Sequence, residues 1–384
     1  MAERIDQVNA DSQMSPEPNR RHKHPRRQVL LGLVGLAAAG GGLAWWLSFH
    51  SSPTQSPPPP QPTRLYMFKR HTSPVRAIVW SPDGTRLASG GDDGTVQVWE
   101  SDNGQQVFTY TGHTHNVTGG DTHTVYAVAW SPDGKHLASG GDDGTVQVWE
   151  SDNGRQLLVH REEYGGVYLA IAWSPDGKRL SAANDNNVRV FDATNWRQIS
   201  VYPSFDQQPA NVLAWSPDGT RLASGGDDGM VQVTDVSNSN RGRLISTYIA
   251  EHKEVNSVVW SPDGTRLASA NTYGAPVQIS VSDATNGHLI STYTGYPENS
   301  FEEVVNIAWS PDGKYLAASV SVEDGPPDYN KTYMVQVWDA GNNHHVCSIN
   351  MEPDGASTLT WSPDSKRLAI GESSGAVSMW HLPL

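Results

Sequence analysis

Three imidazoles and a carboxylate crowd one stretch of this 384-residue chain: His113, His115, Asp121 and His123. Side chains of these types are ligands for zinc and other divalent ions. The spacing matches no specific metal pattern, so the expectation is that one histidine is buried in a structural role and the others are solvated. A second stretch, Gly371-Glu372-Ser373-Ser374-Gly375, fits the pattern GxSxG, which presents a nucleophilic serine in hydrolases. That chemistry needs a sharp turn from strand to helix, whereas the residues around Ser373 read as two strands joined by a hairpin. The phosphate-cradling GxxxxGK[ST], the zinc-binding HExxH, the calcium loop and a dinucleotide GxGxxG after a strand do not occur. No catalytic residue, metal or cofactor is therefore expected.

The elements that would have to position any site are repeats. Trp-Ser-Pro-Asp-(Gly/Ser) begins at Trp80, Trp130, Trp173, Trp215, Trp260, Trp309 and Trp361, at intervals of 50, 43, 42, 45, 49 and 52 residues. That period suits one four-stranded sheet per unit of a toroidal β-propeller. In the first unit VRAIVW alternates as a half-buried strand, SPDG is a turn, RLAS a second strand and GGDDG another turn. Residues 96–99 give the third strand, SDNG the next turn and QVFTYT the outer strand. The expected fold is all-β: a seven-bladed propeller of four-stranded antiparallel blades. The chain ends at AVSMWHLPL, a third strand, so the last blade lacks its outer one; LYMFKR at 65–70 can supply it and close a monomeric ring.

These residues resemble the WD-repeat family over 65–384. The strongest match is LASGGDDGTVQVWE, identical at 87–100 and 137–150. The resemblance implies a buried hydrogen-bonded set across each blade, which by position is His71, Ser89, Asp93 and Trp99 in the first and Ser139, Asp143 and Trp149 in the second. Later blades depart from it: Phe191 and Thr234 stand where tryptophan is usual, and the Trp-Asp pair survives only at Trp338 and Asp339. Blades four to seven are expected to be less tightly braced. Most of the 14 tryptophans fall at strand ends and are expected to pack blades rather than bind ligands.

Ahead of the propeller, residues 1–28 form a polar tail ending in RRHKHPRRQ, and residues 29–49 run without a charge. About 20 apolar residues span a bilayer. The basic cluster should stay cytoplasmic, which puts the propeller outside a cell membrane as a single-pass protein. PRRQVLL also resembles a twin-arginine export signal, and cleavage near residues 37–39 would give a secreted protein; a nonfunctional tail on a cytosolic protein is the remaining option. Residues 50–64 are Pro-rich, a semi-rigid spacer. Taken together with the resemblance, this suggests a bacterial, membrane-anchored type. One cysteine, Cys347, allows no internal disulfide.

Charge divides unevenly. Of 27 Lys+Arg and 41 Asp+Glu, residues 1–64 hold 7 and 4, leaving the propeller strongly acidic, which argues against a nucleic acid partner. Turns between first and second strands are nearly uniform, whereas long insertions at 112–123, 295–303 and 322–333 open on the other rim, and insertions confined to one face commonly mark a binding face. Tyr164, Asp206, Glu251, Tyr296, Phe301, Glu302, Glu303 and Tyr329 belong to that rim. Aromatics among carboxylates suit a protein or peptide with basic character. On the opposite rim Arg86, Lys135, Lys178, Arg179, Arg221, Arg266, Lys314, Lys366 and Arg367 follow the turns and are expected to face an anionic membrane or wall. The function expected is a non-catalytic protein-binding scaffold or sensor. A propeller enzyme or carbohydrate receptor using the central channel, or a structural spacer, are the alternatives.

Overall fold

The computed structural model describes residues 61–113, 124–162, 166–184, 187–203, 210–237, 243–249, 254–271, 278–295, 301–323 and 331–384. Its strands fall into seven four-stranded antiparallel sheets. Blade 1 comprises Val75–Trp80, Arg86–Gly91, Val96–Glu100 and Gln106–Tyr110, from inner to outer strand. The inner strands of successive blades are neighbours, and that of blade 7, Ala356–Trp361, returns beside Val75–Trp80, so the ring is closed. Closure uses the strand Thr63–Lys69, which pairs antiparallel with Ala376–His381 of blade 7 and begins two residues before the position read from sequence. Phe68 of that strand then stacks on Trp99 of blade 1.

The pentad is both a turn and a joint. Gly84 N–H donates to the Ser81 carbonyl at 2.9 Å, with Gly84 at φ 71°, a left-handed value that glycine adopts without strain. Ser81 Oγ donates to Asp83 Oδ1 at 2.6 Å and accepts from Arg86 N–H at 2.9 Å. The Ser81 hydroxyl and the Thr85 N–H, which donates to the same oxygen at 3.0 Å, hold the Asp83 carboxyl below the usual range. Between blades, the indole N–H of Trp80, Trp173, Trp215, Trp260 and Trp361 donates to a carbonyl of the preceding inner strand, at 2.9–3.4 Å. Small residues on the second strand admit this close approach. A Cβ on Gly90 would fall 2.8 Å from Val125 and Val128 of the next blade.

The arginines after these turns do not form the free basic rim expected from sequence. Arg179, Arg221, Arg266 and Arg367 lie over Trp215, Trp260, Trp309 and Trp80 of the following blade, 4.6–4.9 Å from the ring centroids. Arg179 also donates to the Val236 and Gly219 carbonyls and Arg221 to those of Ala284 and Gly264, while Arg266 donates to Ala340. A guanidinium offers a flat face and several donors at once, so one side chain fastens two blades.

Blade 6 departs from the others. Its strands Phe301–Trp309, Tyr315–Glu323 and Lys331–Asp339 have nine residues each, against five or six in blade 1. Residues 301–303, 322–323 and 331–333, read from sequence as inserted loop, are therefore paired strand, with Glu323 opposite Lys331 and Phe301 opposite Val322. Three extra residues at about 3.3 Å each raise this sheet by about 10 Å on the insertion-bearing rim.

Among the described residues no helix is long and apolar enough to cross a membrane. The tail at 1–28, the span at 29–49 and the linker to residue 60 lie outside the described residues.

Candidate functional site

Three groups in blade 1 have the connectivity of a serine-histidine-aspartate relay. His71 Nδ1 is 2.9 Å from Asp93 Oδ2 and its Nε2 is 2.9 Å from Ser89 Oγ. Trp99 Nε1 donates to that same hydroxyl at 3.0 Å. Ser89 is wholly buried and His71 is 2% exposed, so no substrate carbonyl can approach the oxygen. Burial works to raise the Asp93 pKa, but the bond to His71, its charge and the Thr95 and Thr72 donors outweigh it and bring the carboxyl to about 2. Blade 2 repeats the arrangement with His113: Nδ1 to Asp143 at 3.0 Å, Nε2 to Ser139 Oγ at 2.7 Å, and Trp149 Nε1 to the same hydroxyl at 3.4 Å. Both sets tie a segment entering the blade to its second and third strands. His113 thus occupies a buried place in the polar set, and His115, Asp121 and His123 lie outside the described residues.

Blade 3 replaces this set. Phe191 is buried where tryptophan stood, with His160 edge-on at 5.0 Å. Glu162 pairs with Arg189, both largely buried, and accepts from the Tyr168 hydroxyl at 3.2 Å. Ser373 and Ser374 turn between the strands Arg367–Glu372 and Ala376–His381, a hairpin that lacks the strand-to-helix geometry of a nucleophile elbow. No group of three or more potential metal ligands forms among the described residues.

Partly exposed polar chemistry gathers instead at the start of the inner strands, on the insertion-bearing rim. Six of these strands carry a register shift in their first residues, as between Val75 and Ala77, Val125 and Ala127, or Ala210 and Val212. A bulge leaves one residue unpaired and re-aims its side chain. The residues so placed include Arg76, Tyr126, Asn211, Asn256 and Ser357. Arg76 forks onto Asp92 with two contacts of 2.6 Å. Asn211 donates to Asp227 at 2.5 Å and approaches Glu254 at 3.4 Å. Burial and then the charge of Asp227 raise the Glu254 pKa. Sequence reading passed over this set because it sought the face in insertions; the signal was a position that changes from blade to blade inside otherwise uniform strands.

Of the residues assigned to this rim from sequence, Tyr164, Asp206, Glu251, Tyr296 and Tyr329 lie outside the described residues. Phe301 and Glu302 stand on the inner strand of blade 6 rather than in a loop. Glu303 is on the same strand, 3.2 Å from Lys331 Nζ, and so is a paired carboxylate.

Residues 62–100, 104–150 and 287–325 match the family description WD domain, G-beta repeat, and residues 150–295 match Eukaryotic translation initiation factor eIF2A. Ribosome biogenesis protein ERB1 of Ajellomyces capsulatus is 45% identical over 58 residues, 15% of this chain and 7% of that protein. The proteins of that name from Botryotinia fuckeliana and Neurospora crassa are 49% identical over 43 residues and 43% over 58, covering 11% and 15% of this chain and 6% and 7% of theirs. The chain thus spans less than a tenth of the length of these relatives.

These findings correct the placement expected from sequence. The relatives are eukaryotic ribosome biogenesis proteins, and no membrane-crossing helix occurs among the described residues, so the single-pass cell-membrane reading and the bacterial, membrane-anchored type are withdrawn. The membrane-facing role of the basic rim falls with them. Its physical basis is also reduced, because four of those arginines cover tryptophans at blade joints. Seven four-stranded blades make a β-propeller, and three of its segments match the WD domain, G-beta repeat.

Proposed function

We propose that this chain is a non-catalytic scaffold that binds a protein or peptide of basic character through its insertion-bearing rim. The observation that carries the reading is the ring of bulged side chains there. Arg76, Tyr126, Asn211 and Asn256 vary from blade to blade on strands whose other positions serve packing. Long-range attraction would come from the acidic body, and local recognition from the aromatic and amide groups. The same excess of carboxylates disfavours a phosphate backbone as partner. The names of the ribosome biogenesis relatives agree with a scaffold, and the buried state of Ser89 and His71 disfavours a hydrolase.

Affinity capture from the source cells tests this. A chain carrying Arg76→Ala, Tyr126→Ala and Asn211→Ala together should lose its partner, while Lys135→Ala on the opposite rim retains it. Equal capture by both variants would reject the reading.

A further inference from the structure

The joint between blades 2 and 3 lacks the arginine clamp that four of the seven joints possess. Where Arg179, Arg221, Arg266 and Arg367 cover the next blade's tryptophan, position 136 holds a histidine, whose ring centroid stands 6.3 Å from that of Trp173. The acceptors remain. Gly177 and Ala193 occupy the places of Gly219 and Val236, whose carbonyls take the two Arg179 donors. In blades 1 and 2 the corresponding glycine carbonyls of Gly84 and Gly134 accept instead from the Ser101 and Ser151 hydroxyls. Ala193 has no hydroxyl to give. The result is an open groove of about 410 Å³ at this joint, lined by Trp173, Gly177 and Ala193 and bordered by Asp133 and Asp176.

A second, independent departure occurs at the same place. Trp196 sits at φ 60° in a turn where Gly104, Gly154 and Gly287 hold the same position with φ between 68° and 74°. A bulky residue in the left-handed region is strained, and such strain concentrates where a side chain serves a ligand. Its ring stands edge-on to Trp173, 5.9 Å away, and edge-on to His136 at 6.1 Å.

We propose that this groove receives the arginine side chain of a partner polypeptide. The guanidinium would lie over Trp173 and donate to the Gly177 and Ala193 carbonyls, with Trp196 bracing Trp173 from outside the lining and Asp133 and Asp176 supplying negative charge. The occupant is argued from the molecule itself: Arg179 and Arg221 show this arrangement at two joints, stacked at 4.6 Å with both carbonyl bonds made. Lysine offers neither a flat face nor a fork of donors, so the groove selects arginine over lysine. It lies on the rim opposite the bulged residues, and the proposal stands or falls separately from the scaffold reading.

The test titrates the full chain with fluorescently labelled acetyl-Gly-Gly-Arg-Gly-Gly-amide and its lysine counterpart, read by anisotropy. The arginine peptide should bind at least fivefold more tightly. His136→Arg should fill the groove from within, weakening that peptide tenfold or more while raising Tm by several degrees. Trp196→Gly, which relieves the strained turn, should weaken it severalfold without lowering Tm. Equal binding of the two peptides, or unchanged arginine-peptide binding in both variants, would overturn the proposal. Free arginine binding as tightly as the peptide would overturn the polypeptide as occupant.

Discussion

Phe68 lies nearly flat on Trp99, ring centroids 5.0 Å apart and planes 15° from parallel, although the two residues belong to blades at opposite ends of the chain. Tyr110 on Trp149 repeats the contact between blades 1 and 2, at 4.5 Å and 11°. The outer strand of one blade thus reaches the third strand of the next, and Thr63–Lys69 makes that contact for the closing joint.

Phe68→Ala should therefore cost about 3–5 kcal/mol, the usual range for removing a buried phenyl ring. Leu65→Ala on the same strand, at a side chain 48% exposed, should stay within about 0.5 kcal/mol. Urea unfolding followed by fluorescence separates the two. Equal effects would mean that the strand is held by backbone pairing alone.

Acid should weaken the fold through Asp93. Its carboxyl is brought to about 2 in the folded chain, from 3.8. Because folding lowers this pKa, the stabilisation is whole above pH 4 and is lost as pH falls through 2. A shift of that size is worth about 2 kcal/mol. Denaturant titrations at pH 5 and pH 2 should show a smaller loss in Asp93→Asn than in the wild type.

The joint between blades 4 and 5 isolates one clamp. Arg221→Ala removes a stacked guanidinium and two carbonyl bonds and should cost about 1–3 kcal/mol. Arg221→Lys should recover less than half, since an ammonium cannot stack and fork together. Calorimetric Tm values order the three proteins.

Cys347 should resist alkylation in the native protein. Burial pushes its thiol up to about 11, and the thiolate is the reactive form. Mass spectrometry after iodoacetamide at pH 8 should find adduct only once denaturant unfolds blade 6.

Much of the fold could be read from the chain. The pentad beginning at Trp80 and its six copies specify a turn whose Ser81, Asp83 and Gly84 satisfy one another locally, and such local signals survive in sequence. The set around His71 was legible only through resemblance, because its members come from the segment entering the blade, from two strands and from the turn between them. The Arg179-type clamps were misjudged because their partners, such as Trp215, Gly219 and Val236, lie 36 to 57 positions away and belong to the next blade. A cation at the surface reads as solvated unless that partner is known. The raised sheet of blade 6 was taken for loop because Phe301, Glu302 and Glu303 precede a strand of ordinary repeat length, and only pairing with Ser321 and Val322, which pair in turn with Tyr333 and Thr332, extends it.

Site-directed photo-crosslinking tests the scaffold account most directly. A photoreactive residue placed at Asn211, on the insertion-bearing rim, should form a discrete adduct with one partner in living source cells, and the same residue at Asp263, on the opposite rim, should form none with that partner. Adduct to that partner at Asp263 rather than Asn211, or at neither position, would contradict the account.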